Sequence, residues 1–305
     1  MTSIWTALLG TDLTVRHVDL DGWRTRMLVA GEGSTPLVLL PGTGGHLEAY
    51  ARNIAAFAAR GTVIAYDYPG HGFTTPAVED LEIGRYVDHL DALIDHLGHD
   101  RVDLCGESLG GWVAVRYAGV HPRRVRRLVL NTPGGTMARP EVMERIRTLS
   151  QAAADDPSPE RVRARLEWLM ADPASVTDEL VDVRRAIYAR PGFARSMRHI
   201  LCLQDPVVRE RNRITDEELG ALIHRTLVVW TSEDPSGPAA AGLHMAKSIP
   251  RGRFALIEEA GHWPQWERHE RFDRLVTEFL DEDESRHEGA YEGAYEDRNR
   301  NEGTP

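Results

Sequence analysis

Short, continuously apolar runs alternate with longer amphipathic stretches through the first half of the chain. Two β-rich stretches lie between Arg16 and Gly42, the second of them the unbroken Pro-Leu-Val-Leu-Leu-Pro-Gly of residues 36–42. Helical spacing then covers about 47–59, followed by a strand at 62–67, a helix at about 83–97, a strand at 101–105, a helix at about 109–119 and a strand at 125–130. Apolar runs bounded by turn residues and separated by amphipathic segments predict buried parallel strands joined by crossover helices. The alternation stops at Thr132-Pro133-Gly134-Gly135. From about Pro140 to Leu222 the periodicity is helical, punctuated by Pro157, Pro159, Pro173, Pro191 and Pro206. Strand character returns at 225–230 and 253–257, with helices at about 239–249 and 265–280. The pattern predicts one α/β domain with a mostly parallel sheet and helices on both faces, formed by residues 1–135 and 223–281. A helical cap over 136–222 interrupts it, and an acidic tail, 282–305, is too polar to bury a face and is expected to be disordered.

Charge narrows the function. The 36 basic and 47 acidic residues give a net charge of −11, which argues against electrostatic binding to nucleic acid or an anionic membrane. Lys247 is the one lysine, and the arginines are spread over helical faces, so as a group they read as solvating residues. No run reaches the ~18 apolar residues of a membrane span and the first ten residues lack a signal-peptide pattern, so a cytoplasmic protein is expected. Cys105 and Cys202 are too few for a metal cluster, and Cys105 falls in an apolar strand.

The chemistry begins at Gly106-Glu107-Ser108-Leu109-Gly110, a G-x-S-x-G between an apolar strand and a helix. A serine on such a sharp turn is held exposed, and the flanking small residues let the backbone pass. The helix N-terminus favours an oxyanion, with the Leu109 N–H as one donor. A serine hydroxyl needs a base and an orienting carboxylate, expected in the chain order Ser, Asp, His. Asp234 follows the strand at 225–230 and His262 the strand at 253–257, so both would stand at strand ends beside Ser108. Glu233 and Asp205 compete for the carboxylate role. Among thirteen histidines, His71 in Pro-Gly-His-Gly reads as a turn feature. A second oxyanion donor is expected from Pro41-Gly42-Thr43-Gly44-Gly45, at the Thr43 N–H. That loop has neither the spacing nor the lysine of a phosphate-binding loop, so no nucleotide, metal or other cofactor is called for.

With these residues in view the chain resembles the α/β-hydrolases, and within them the meta-cleavage product hydrolases, which split vinylogous 1,5-diketones by adding water across a carbon–carbon bond. The likeness spans about residues 35–281. It rests on Gly261-His262-Trp263-Pro264-Gln265-Trp266-Glu267 with Phe272 and Leu275, on Ala51-Arg52-Asn53-Ile54, on Asn131-Thr132-Pro133-Gly134-Gly135 and on Asp178-Glu179-Leu180-Val181-Asp182-Val183-Arg184. By position it implies that Arg184 meets the substrate carboxylate and that Trp263 stands beside the catalytic histidine; Gly44, in the glycine-rich loop, is a further candidate for the substrate site. The plain reading of Arg184, with Arg185 next to it, is a solvated helix face. Pro41, Glu107 and Ala49 depart from the family's His, Asn and Asn, which puts the standard ring-cleavage substrate in question.

The expected function is a cofactor-free serine hydrolase whose cap shields an apolar or aromatic small molecule, hydrolysing a C–C bond of a diketone. A carboxylesterase with the same triad is the second reading and a non-catalytic small-molecule receptor the third. The oligomeric state stays open, a homo-oligomer included.

Overall fold

The computed structural model describes residues 3–282; all but the first residue of the expected tail lie outside them. Eight strands form one sheet: β1 (Leu13–Leu20), β2 (Trp23–Ala30), β3 (Leu37–Leu40), β4 (Val63–Tyr66), β5 (Val102–Glu107), β6 (Val125–Asn131), β7 (Arg225–Thr231) and β8 (Gly252–Ile257). Their order is β1-β2-β4-β3-β5-β6-β7-β8. β1 and β2 pair antiparallel, as do β2 and β4, and every later pair is parallel. The inner parallel strands carry apolar residues toward both sides because both faces are covered. Val38 and Leu40 of β3 join the core layer on one face, and Leu37 and Leu39 join the layer on the other.

Three strands, rather than two β-rich stretches, precede Pro41. The overlooked signal is Asp21-Gly22, both at positive φ (52° and 85°), the turn that joins β1 to β2 as a hairpin. The helix expected at 47–59 is broken into a 3-10 turn at Leu47–Tyr50 and a helix at Ile54–Ala58. The Leu47 N–H is taken by Asp67 Oδ1 at 2.9 Å, and the Asn53 side chain reaches the Gln265 carbonyl (3.0 Å) and Asp273 (2.7 Å). Tertiary partners here override the local periodicity. The last helix is likewise split at Arg268 into Pro264–Glu267 and His269–Asp281. Between β6 and β7 lie only helices, from Pro140–Asp155 to Asp216–Gly220. Pro140, Pro159 and Pro206 sit in first turns, where the missing N–H costs nothing.

This topology fixes where a site can form. The chain leaves β3 for β4 on one side and then returns past β3 to β5 on the other. The carboxyl ends of β3 and β5 therefore flank a crevice that no crossover covers. Leu40 pairs with Gly106, and Glu107 pairs with Asn131, so the loop after β3, the turn after β5 and the loop after β6 meet at one rim.

Candidate active site

Ser108 occupies the turn between β5 and the helix Leu109–Val120 with φ 53° and ψ −110°, a strained conformation for a residue with a side chain. The tight passage needs glycine on both sides: a Cβ on Gly106 would collide with the Gly110 carbonyl, and one on Gly110 with the Leu40 carbonyl. The strain is held by backbone bonds, Ser108 N–H to the Asn131 carbonyl (3.0 Å) and Gly134 N–H to the Ser108 carbonyl (2.9 Å). The Asn131-Thr132-Pro133-Gly134-Gly135 segment is thus the brace of the serine turn.

His262, 6% exposed, follows β8. Its Nδ1 lies 2.9 and 3.0 Å from the two carboxylate oxygens of Asp234, and 3.3 Å from Ser236 Oγ. Asp234, after β7, has a fully buried side chain. Of its two competitors, Glu233 is exposed, and Asp205 caps the helix Pro206–Asn212 through the N–H groups of Val207 and Val208. Burial alone would lower the His262 pKa. The charge and hydrogen bond of Asp234, together with Glu107, outweigh it and raise the pKa above 6.5. His71 is a buried turn residue, its Nδ1 2.9 Å from the Pro69 carbonyl.

Ser108 and His262 line one cavity, with Thr43 and Leu109 beside them. Its floor is the sheet rim and its roof the inserted helices, which supply Met143, Arg165, Trp168 and Arg184 among others. Trp263 also lines it, with the Arg184 guanidinium 5.3 Å from its ring. Gly44 does not line it, although Thr43 and Gly45 do. The Gly44 carbonyl accepts the Tyr188 hydroxyl at 3.3 Å, which ties the loop to the roof.

Arg184 is 1% exposed, not on a solvated face. Its Nε lies 3.5 Å from His46 Nε2, while His46 Nδ1 lies 2.9 Å from Glu48. Burial lowers the His46 pKa, so a neutral ring donates from Nδ1 and accepts at Nε2. Glu48 is in turn gripped by both terminal nitrogens of Arg26 (2.7 and 2.8 Å). Arg184 Nη2 is buried without a partner. No carboxylate is among its ion-pair partners within the described residues.

Three residues matter more than the sequence reading allowed. Glu107, 2% exposed, points a carboxyl oxygen at His262 Nε2 from 3.4 Å and leaves Oε2 unpartnered. Burial raises its pKa, against the pull of His262, the Gly42 N–H, Arg184 and Arg165. Glu267 accepts the N–H groups of Gly261 (2.7 Å), Ala171 (2.8 Å) and Asp172 (3.1 Å), linking the histidine loop to the roof. Arg165 is 4% exposed. Both arginines show a pattern that marks burial. Arg165 falls in step with Val162 and Leu166, and Arg184 with Leu180, Val181, Ile187 and Tyr188, so each interrupts an apolar helical stripe.

Other motif residues are framework. Asn131 Nδ2 bonds Gln265 Oε1 at 2.7 Å, and the Arg52 guanidinium stacks 4.0 Å from the Trp266 ring centre. Among the described residues there is no cluster of metal-ligating side chains and no helix long and apolar enough to cross a membrane.

Residues 35–269 match the family model of the α/β-hydrolase fold. The chain is 31% identical over 289 residues to the 2-hydroxy-6-oxo-6-phenylhexa-2,4-dienoate hydrolase of Burkholderia cepacia, covering 92% of this chain and 99% of that one. It is 33% identical over 280 residues to the 2-hydroxymuconate semialdehyde hydrolase of Pseudomonas putida, covering 89% and 96%. A solved meta-cleavage product hydrolase from Pseudomonas fluorescens superposes with a TM-score of 0.77 at 29% identity, covering 87% of this chain and 97% of that one. The fold, the position of the serine turn and these likenesses converge: the chain is a hydrolase that belongs to the α/β-hydrolase family, among the relatives that include the meta-cleavage product hydrolases.

Proposed function

We propose that this protein is a cofactor-independent serine hydrolase that cleaves a C–C bond in a vinylogous diketone bearing a carboxylate. Ser108 is the nucleophile or activates water, His262 is its base, and Asp234 fixes the ring with Nδ1–H inward so that Nε2 is free to take a proton. The N–H groups of Thr43 and Leu109 receive the oxyanion. In the C–C reaction His262 first moves a proton from the dienol oxygen to the chain carbon. The hydroxyl of water then ends on the acyl carbon and its hydrogen on the departing carbon, with the electron pair of the broken bond drawn into the conjugated keto acid.

The observation behind this reading is the Arg184 guanidinium, 1% exposed, lining the cavity of Ser108 with Nη2 unpartnered. A buried cation of this kind is stabilised by an anionic ligand. A neutral ester offers none, whereas a dienoate carries its charge at the end that serves as the electron sink. The carboxylesterase reading draws on Ala49 and Glu107, which stand where the resembling family carries asparagines. Parallel assay of a 2-hydroxy-6-oxo-dienoate and a p-nitrophenyl ester series, in wild type and Arg184→Ala, separates the two. Selective loss of the dienoate activity by 100-fold or more is expected. Equal indifference of both activities overturns the role of Arg184, and turnover of esters alone overturns the C–C reading.

A further inference from the structure

The roof of the cavity holds a second buried cation. Arg165, on the helix Pro159–Glu167, is 4% exposed and lines the same cavity as Ser108 and Arg184. Its Nε is fixed by Ser150 Oγ at 2.8 Å, and its guanidinium stands 5.3 Å from the ring of Trp168, another lining residue. Nη1 is buried with no partner. Among the described residues neither Arg165 nor Arg184 has a carboxylate within ion-pair distance, unlike Arg26, which is paired with Glu48 and Asp67. Arg209, also at the cavity wall, is already committed to the carbonyls of Met137 and Leu203. Arg165 and Arg184 thus stand apart as guanidiniums with unused donors on residues that line one cavity.

Charge balance decides what that space takes. The titratable groups bearing on Arg165 are Tyr188, Arg184 and Glu107. The Glu107 carboxyl lies against His262 Nε2 (3.4 Å) and is within ion-pair distance of neither guanidinium, so it does not cancel two cations, and burial lowers the Arg165 pKa only to about 10, leaving it charged at neutral pH. A monoanion at Arg184 would leave the second buried cation unneutralised, a costly state. A dianion neutralises both.

We propose that Arg165 forms a second anion subsite and that the substrate is a dicarboxylate, one carboxylate on Arg184 and the other, on the acyl side of the scissile bond, on Arg165. This rests on the diketone-hydrolase reading above and deepens it. Ser150 and Trp168 orient the guanidinium, and its Nη1–H is the donor that the distal carboxylate receives.

The test uses two dienol diketones that differ only at the acyl end, one terminating in a carboxylate and one in a methyl group of equal chain length. Wild type should favour the diacid at least tenfold in kcat/KM. Arg165→Gln should raise KM for the diacid 10- to 100-fold with kcat nearly unchanged and shift the neutral-ended substrate less than threefold, and Arg165→Lys should recover part of the loss. Equal losses on both substrates, or no wild-type preference, overturn the subsite; the wild-type comparison decides even where Arg165→Gln fails to fold. Protection of Ser108 from a fluorophosphonate label by adipate or pimelate, against the matched monoacids, reads the subsite without turnover. Tenfold better protection by the diacids that vanishes in Arg165→Gln supports it, and parity in wild type overturns it. Absence of C–C cleavage with intact diacid protection would overturn the reaction assigned above while leaving the subsite standing.

Discussion

Glu267→Ala tests how the histidine loop is held. The carboxylate accepts three backbone N–H groups, and they differ in environment. The Gly261 N–H is buried, whereas those of Ala171 and Asp172 are part-buried and can turn to water. Leaving a buried donor unsatisfied after loss of a charged acceptor costs roughly 1.5–3 kcal/mol, and the two wetter bonds add about 0.5 kcal/mol each. Burial raises the Glu267 pKa despite the three donors, so part of the gain is already offset by desolvation. The expected net loss is about 2–3 kcal/mol, a large share of a typical 5–15 kcal/mol total. Urea unfolding should show a lower midpoint at constant slope. Gly261 adjoins His262, whose own N–H is anchored on the Leu169 carbonyl (2.6 Å), so the label rate at Ser108 should also fall several-fold. Glu267→Gln, which keeps an acceptor, should recover at least half of both effects. A stability change below about 0.5 kcal/mol in Glu267→Ala would refute the reasoning.

Ser108→Ala and His262→Ala should each lower turnover by ~10⁴- to 10⁶-fold, the scale for members of a cooperating triad, and a loss under tenfold rejects the assignment. Glu107→Gln removes a carboxyl 3.4 Å from His262 Nε2 that helps to raise its pKa. Because His262 must be neutral to accept a proton, the acid limb of kcat/KM should move to lower pH by about one unit, and an unmoved or upward-moved limb contradicts the coupling. Burial raises the Asp273 pKa from 3.8 to about 7. Between those values the folded chain holds the proton that the unfolded chain has released, so its contribution to stability falls as pH rises from about 4 to 7, by ~2 kcal/mol after discounting for partial exposure. Asp273→Asn should flatten that slope in melts taken across the range; an unchanged slope would assign it to other groups.

The parallel sheet was legible because residues 37–40, 63–66 and 128–130 are continuously apolar runs, as strands covered on both faces require. The serine turn was legible because its glycines answer a packing demand that no other residue meets. The hairpin of β1 and β2 was passed over although Asp21-Gly22 announces it. The break at Asn53 is set by distant partners and leaves no local trace. Arg184 stood out through the family resemblance alone, and Arg165 was hidden by composition: in a chain with one lysine, an arginine on an apolar stripe looks like one more surface residue. What marks Arg165 and Arg184 is their phase with Val162, Leu166, Leu180 and Ile187, readable only once the helices are known to roof a cavity.

The roof is fastened to the sheet at many points: Leu169 to His262, Ala171 and Asp172 to Glu267, Tyr188 to Gly44, Ser175 to the Trp266 indole (2.9 Å), and Ser196 to the Gly70 carbonyl (2.9 Å) and the Ala77 N–H (2.8 Å). Raising it as a rigid hatch would sever all of these together, at roughly 0.5–1.5 kcal/mol for each bond. Rotamer changes of the long side chains Met137 and Arg139, which line the cavity where the insertion leaves the sheet, would break far fewer contacts. A roof tied down in this way makes side-chain motion, rather than a hinge, the lower-cost way to admit a ligand.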